Sequence, residues 1–350
     1  MSAPSSSRRY LPPESSLPSR PSVRSDAEAR GLQRADAGRR AATPRRRRVD
    51  RLWVVVLAGG EGSRIRSMTR APDGTPVPKQ FCRLRDGMSL FHRAVARGLS
   101  LTAGARVVPV VQSHHRAWWK RDLRGLSPEI LIVQRECRGT AHAVYRAAAA
   151  IAERDPEAVV LVLPSDHVVD DEPRFRAAAA SVCREARAHR ELLVLLGIAH
   201  REPDPEYGWI VPAADGESDS RRVLAFVEKP TRDQAMALLR RGALVNAMIV
   251  AATAGPLLEL FERSVPDLTA EHRSGKRCAV RAGWDFSRDF LSRTTTWQRV
   301  MRAPTLGWCD LGTPERLRLW MESHEEFFWW ADDLPRARKE RPGIVQPAVG

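Results

Sequence analysis

A doubly wound α/β sheet is the fold class this sequence predicts, and three observations carry the prediction. Leu52-Trp53-Val54-Val55-Val56-Leu57-Ala58 is an unbroken apolar run that ends in glycines, as does a strand buried on both faces of a parallel sheet. Runs of the same kind recur at 107–111, 130–133, 159–163 and 192–198. Helix-like stretches lie between them, at 89–101, 114–123, 140–153 and 173–189. Strand and helix alternating in this way give a Rossmann-like domain that begins near Leu52.

Past Gly197 the alternation loosens. Residues 209–211, 223–227 and 244–250 read as strands, and 231–240 and 256–263 as helices. The sheet is therefore expected to be mixed, with an inserted half whose antiparallel strands cover its open side. Residues 313–322 read as a helix with Pro314 in the first turn, where the missing N–H costs little. Phe327-Phe328-Trp329-Trp330 is expected to pack on the body or on a second copy, which leaves a homodimer open. No internal repeat is present.

Residues 1–50 are rich in Ser, Pro, Arg and Ala without apolar periodicity, and are read as a disordered tail. The chain of 350 residues carries a net charge of +15, which invites a nucleic-acid reading. The distribution weakens it, because twelve arginines and five acidic residues fall in the first fifty positions. The remaining charge is modest for its length and suits anionic substrates. Ser7-Arg8-Arg9-Tyr10-Leu11 is followed by no apolar stretch, so it is not read as an export signal. No run approaches the roughly 20 apolar residues of a membrane helix. Cys82, Cys137, Cys183, Cys278 and Cys309 are scattered without paired spacing, which argues against disulfides or a zinc site and for a reducing, cytoplasmic setting.

The chemistry begins after the first strand, with Leu57-Ala58-Gly59-Gly60-Glu61-Gly62-Ser63-Arg64. Ligands of open α/β sheets lie beyond the carboxyl ends of the strands, and glycines there let backbone N–H groups approach a phosphate or base. Arg64 places a fork of donors at the end of this turn. Lys79, in Pro78-Lys79-Gln80-Phe81, is one of only five lysines among 57 cationic residues, and Pro76 and Pro78 stiffen its approach. Asp166 follows an apolar strand, where a carboxylate can hold Mg²⁺.

These segments resemble the mannose-1-phosphate guanylyltransferases of the sugar-phosphate nucleotidyltransferase superfamily. The resemblance runs from about Leu52 to about Leu317. It continues through Arg138-Gly139-Thr140-Ala141, Leu163-Pro164-Ser165-Asp166-His167, Glu206-Tyr207-Gly208-Trp209-Ile210 and Phe226-Val227-Glu228-Lys229-Pro230. Val245-Asn246-Ala247-Met248, Asp285-Phe286-Ser287-Arg288-Asp289 and Gly307-Trp308-Cys309-Asp310-Leu311-Gly312 follow in the family's order.

The resemblance implies the nucleotide-diphospho-sugar transferase type of α/β fold over 51–325, with a C-terminal tail at 326–350. It implies Mg²⁺ on Asp166 and Asp310, with Arg64 and Lys79 as catalytic cations. A nucleotide, GTP, would rest on Leu57, Ala58, Gly59, Gly60, Gly62, Gly139, Thr140 and Asp166. Mannose 1-phosphate would meet Tyr207, Gly208, Glu228, Lys229 and Asn246. Small residues and free N–H groups at the start of the helix after Gly139 would seat the base. His167 is left outside catalysis. Too little chain follows Leu317 for the β-helical or isomerase domain that some members carry. The chain departs from the family at Ala247-Met248, where Ser-Gly is usual after Asn. It departs again at His142, where Pro is usual, and at Arg66-Ser67-Met68-Thr69, where a Trp-Pro-Leu-Ser type of segment is usual. The implied reaction is transfer of GMP from GTP to mannose 1-phosphate, with another nucleoside triphosphate or hexose as the alternative. A non-catalytic regulator or nucleic-acid binder using the arginine tail is the reading from another class.

Overall fold

The computed structural model describes residues 51–214, 219–275 and 283–328. The readings of the tail at 1–50, of Cys278 and of Trp329-Trp330 fall outside these residues.

The parallel core consists of β1 (Leu52–Ala58), β2 (Val107–Gln112), β3 (Ile132–Gln134) and β4 (Val159–Pro164). β1 sits centrally, parallel to β2 on one side and β4 on the other, and β3 continues beyond β2. α1 (Leu90–Leu101), α2 (Arg116–Asp122), α3 (Thr140–Ala152) and α4 (Glu172–Ala188) connect or follow these strands. Their starts follow local chemistry: Ser89 accepts the His92 N–H at the head of α1, and Asp171 accepts that of Arg174 at α4.

The second half adds β5 (Leu193–Ile198), β6 (Gly208–Pro212), β7 (Ser220–Glu228), α5 (Arg232–Arg240), β8 (Leu244–Thr253), α6 (Ala254–Ser264), α7 (Pro266–Ser274), β9 (Gln298–Arg302) and α8 (Pro314–Ser323). The strand order is β3-β2-β1-β4-β8-β5-β9-β7-β6. β8 runs antiparallel to both β4 and β5, which makes the sheet mixed as expected. β6 also pairs with the start of β8, at Trp209 with Val245 and Ile210 with Leu244. The far end of the sheet thus curls back on itself.

Helices cover both faces. Trp53 and Val55 join one apolar cluster with α3, α6 and α7. Leu52, Val54, Val56 and Ala58 join another with α1, α2 and α4. Period-2 alternation in an all-apolar strand thus feeds two cores, and each fully buried Val or Leu stabilises by roughly 1.5–3 kcal/mol.

Sequence periodicity missed α7, β9 and a π-helical turn at Phe286–Phe290. β9 reads Gln-Arg-Val-Met-Arg, too polar to register as a strand, and it is held by pairing with β5 and β7. Phe328 packs on the body. Among the described residues no helix is long and apolar enough to cross a membrane.

Candidate active site

β1 delivers its carboxyl end to the glycine turn. Gln80, buried, donates from Nε2 to the main-chain oxygens of Ala58 at 3.2 Å and Gly60 at 2.9 Å, tying down both sides of Gly59. A Cβ on Gly59 would lie 3.0 Å from Gln112 Nε2, and that amide donates to Gln134 Oε1. The tips of β1, β2 and β3 therefore meet here. Gly62 has φ 59°, the left-handed region that favours glycine, and a Cβ there would come within 2.9 Å of the Lys79 Cβ. Glycine at 62 lets the chain turn and lets Lys79 lie against the turn.

Lys79 is buried, at 4% exposure. Its ammonium donates to Asp166 Oδ2 at 2.9 Å and to the main-chain oxygen of Asp310. Asp166 caps no helix, since Asp171 caps α4. Burial works to raise the Asp166 carboxyl, but Lys79 and His167 outweigh it and hold the group below the usual carboxylate value. The Asp310 carboxylate turns the other way. Its Oδ1 accepts the Tyr207 hydroxyl at 3.1 Å and the Gly312 N–H at 3.1 Å, and lies 3.3 Å from Arg316. Arg316 stacks over the Tyr207 ring at 4.3 Å and also pairs with Asp204.

Tyr207 carries the site into the curled half. It precedes β6, and its carbonyl accepts the Lys229 N–H at 3.1 Å. Gly208 faces Glu228 across the β6–β7 pair, and a Cβ there would lie 2.5 Å from Glu228 Oε2. Burial and the nearby Asp285 push the Glu228 carboxyl up to about 7, against the opposing pull of Lys229 and Arg288. Asn246 on β8 accepts the Met248 N–H at 3.1 Å and donates to Ser287 Oγ at 3.2 Å. Met248 has φ 57°, so a side chain stands in a conformation suited to glycine.

The structure thus gathers Leu57, Ala58, Gly59, Gly60, Gly62, Lys79, Asp166 and Asp310 at the carboxyl edge, with Tyr207 as the bridge to Gly208, Glu228, Lys229 and Asn246. Arg64 is half-exposed and paired with Glu206, the neighbour of Tyr207. One expectation needs correction. The N–H groups at the start of α3 are not all free: Ala141 donates to the Trp284 carbonyl at 2.9 Å, and the Thr140 hydroxyl accepts the Phe286 N–H. The residues around Trp284 pack so closely that a Cβ on Gly139 would lie 2.2 Å from the Trp284 oxygen. Gly139 is thus required by chain packing, whatever else it does. Sequence reading missed Gln80, Gln112, Gln134, Arg316 and Ser287. Gln80 stood inside a quoted motif, but nothing local signals that its amide reaches back to the glycine turn.

A sheet of this order with a glycine turn, a buried lysine and two aspartates at its carboxyl edge defines a doubly wound α/β protein of the nucleotide-handling class. The family model described as Nucleotidyl transferase matches residues 53–326, and the chain belongs to that family. It is 33% identical over 227 residues to the mannose-1-phosphate guanylyltransferase of Escherichia coli (strain K12), covering 62% of this chain and 46% of that protein. It is 29% identical over 290 residues to the mannose-1-phosphate guanylyltransferase ManC of Salmonella typhimurium (strain LT2), covering 76% and 58%. The chain spans about half the length of these curated relatives. Among solved structures, a Thermus thermophilus protein called mannose-1-phosphate geranyltransferase superposes with a TM-score of 0.65 at 27% identity, covering 75% of this chain and 76% of that one.

Proposed function

We propose that the chain transfers GMP from GTP to α-D-mannose 1-phosphate, giving GDP-mannose and pyrophosphate. The observation that carries this reading is the Lys79 junction, where one buried ammonium lies against the glycine turn and touches both Asp166 and Asp310. The relatives called mannose-1-phosphate guanylyltransferase support the choice of substrates.

A phosphate oxygen of the sugar phosphate attacks the α-phosphorus of GTP. The new P–O bond forms as the bond to the β-phosphate oxygen breaks, and pyrophosphate leaves. The nucleophile is already anionic, so no general base is needed, and catalysis is positioning plus charge neutralisation. Lys79 neutralises charge at the α-phosphate, and Arg64, released from Glu206, steadies the departing pyrophosphate. Glu228 accepts hydrogen bonds from sugar hydroxyls, Lys229 pairs with the sugar phosphate, and Asn246 and Tyr207 complete the sugar contacts.

Asp166 and Asp310 are the residues that would hold Mg²⁺. Both offer the hard oxygens this ion prefers, and the Lys79 ammonium brings the Asp166 carboxylate beside the Asp310 main-chain oxygen, while the Asp310 carboxylate is held by Tyr207, Gly312 and Arg316. When bound, the ion supplies further neutralisation of phosphate charge. A cytoplasmic setting belongs to the same reading, supported by the free Cys82, Cys137, Cys183 and Cys309.

The test is pyrophosphate release with GTP, mannose 1-phosphate and Mg²⁺, run against a panel of other nucleotide and sugar phosphate pairs. Faster turnover with another pair would replace this reading by a relative of different specificity. Met248 favours keeping that second reading, because its side chain stands beside Asn246 and Ser287 where the family usually has glycine. Near-normal turnover in Asp166→Asn or Lys79→Ala would refute the role assigned to that residue.

A further inference from the structure

A cavity of about 430 Å³ lies between the end of β3, α3 and α7. Arg135, Arg138, Arg146, His142 and His272 line it, together with the acidic Glu136. Its link to the glycine turn is Gln134, whose amide reaches the Gly59 side. Neither Lys79 nor Asp166 borders it.

Two features of this cavity lack an explanation in the nucleotidyl-transfer site. The first is His142. It is buried, at 3% exposure, it borders the cavity, and neither ring nitrogen has a hydrogen-bond partner among the described residues. A buried polar group left unpaired is destabilising, and a neutral imidazole has one donor and one acceptor to satisfy. The second is unbalanced charge. Arg138 pairs with Glu271 at 3.6 Å, and Glu271 is also bound by the Trp284 indole. Arg135 and Arg146 have no ion-pair partner among the described residues. Burial lowers His142 to about 4, with His272, Arg138 and Arg146 adding to the effect. Arg146 is lowered by burial and by Arg138. Three guanidinium groups line the cavity and two of them lack an ion-pair partner among the described residues, a lining suited to an anion.

We propose that this cavity is a second ligand site, distinct from the nucleotidyl-transfer centre, that takes a phosphate-bearing small molecule. Arginine forks match phosphate oxygens in pairs. The phosphate group also suits His142, because its oxygens accept from one ring nitrogen and a P–OH can donate to the other. The volume falls within the range of roughly 300–1,000 Å³ typical of small-molecule sites, which favours a metabolite over a nucleic-acid strand.

The experiment uses the full chain and inorganic phosphate as the probe, in low-chloride buffer at pH 7. Binding is read by calorimetry and by the histidine ring resonances in NMR. Wild type, Arg135→Gln/Arg146→Gln and Lys79→Ala are compared, with thermal unfolding as the check on folding. The expected result is that phosphate moves the His142 and His272 resonances, and that the double variant weakens binding at least about tenfold. Lys79→Ala leaves binding unchanged. A hexose phosphate and a nucleoside monophosphate, titrated next, identify the source of the phosphate. The proposal is overturned if phosphate in the millimolar range leaves His142 unmoved, or if the double variant binds like wild type. It is also overturned if Lys79→Ala abolishes binding, or if only an oligonucleotide shifts these resonances.

Discussion

Replacing Glu228 with Gln tests the sugar end of the site. Burial beside Asp285 moves the Glu228 carboxyl from an ordinary 4.5 up to about 7. With a midpoint near 7, the ionised fraction falls about tenfold between pH 8 and pH 6. If the carboxylate is the form that accepts sugar hydroxyls, the wild-type KM for sugar phosphate rises by up to about tenfold over that span. In Glu228→Gln a charged hydrogen-bond acceptor is lost, a cost of about 1.5–3 kcal/mol, so KM at pH 8 rises roughly 10–100-fold. The ratio of variant to wild-type KM cancels the titration of the substrate's own phosphate, and it should shrink steadily from pH 8 to pH 6. Initial rates of pyrophosphate release provide the assay. A ratio that stays constant with pH would remove Glu228 from sugar binding.

The same substitution has a signature in stability. A carboxyl raised in the folded state binds its proton more tightly folded than unfolded. Its stabilising contribution is complete below pH 4.5 and is lost as pH rises through about 7. Glu228→Gln should therefore stabilise the chain at pH 8 relative to wild type, with little gain near pH 4. Partial exposure reduces the effect to about 1–2 kcal/mol. Chemical unfolding at the two pH values measures the difference.

Three further outcomes follow from the carboxyl edge. Lys79→Met keeps the volume of the buried stem and removes its charge, so kcat should fall about 10²–10³-fold with unchanged circular dichroism; a loss below tenfold would contradict the assigned role. Gly62→Ala meets both the left-handed backbone and the Lys79 stem, so it should cost about 1–2 kcal/mol in unfolding and lower kcat as well. Chelation should abolish transfer, and Asp310→Asn should raise the Mg²⁺ concentration needed for half-maximal rate, measured by titrating the metal back.

Much of the parallel core was legible because its signals are local. An apolar run such as Leu52–Ala58 needs burial on two faces wherever it lies, and Ser89 and Thr231 mark helix starts through bonds to residues three positions away. The curled half was less legible. β9 is strand only because β5 and β7 offer it partners, and α7 carries a weak apolar stripe.

The sequence by itself determined the alternation of strands and helices, the glycine turn after β1, and the set of charged residues that follow strand ends. It did so because propensity, periodicity and turn chemistry act over a few residues. Only the tertiary structure decided that Lys79 is buried against Asp166 and the Asp310 carbonyl, and that Arg316 and Tyr207 hold the Asp310 carboxylate. It alone closed the start of α3 with the residues around Trp284. Apart from Arg316 with Asp310, those contacts join residues from 87 to 231 positions apart. A charge changes its solvation and its partners only when the whole sheet has brought distant segments together.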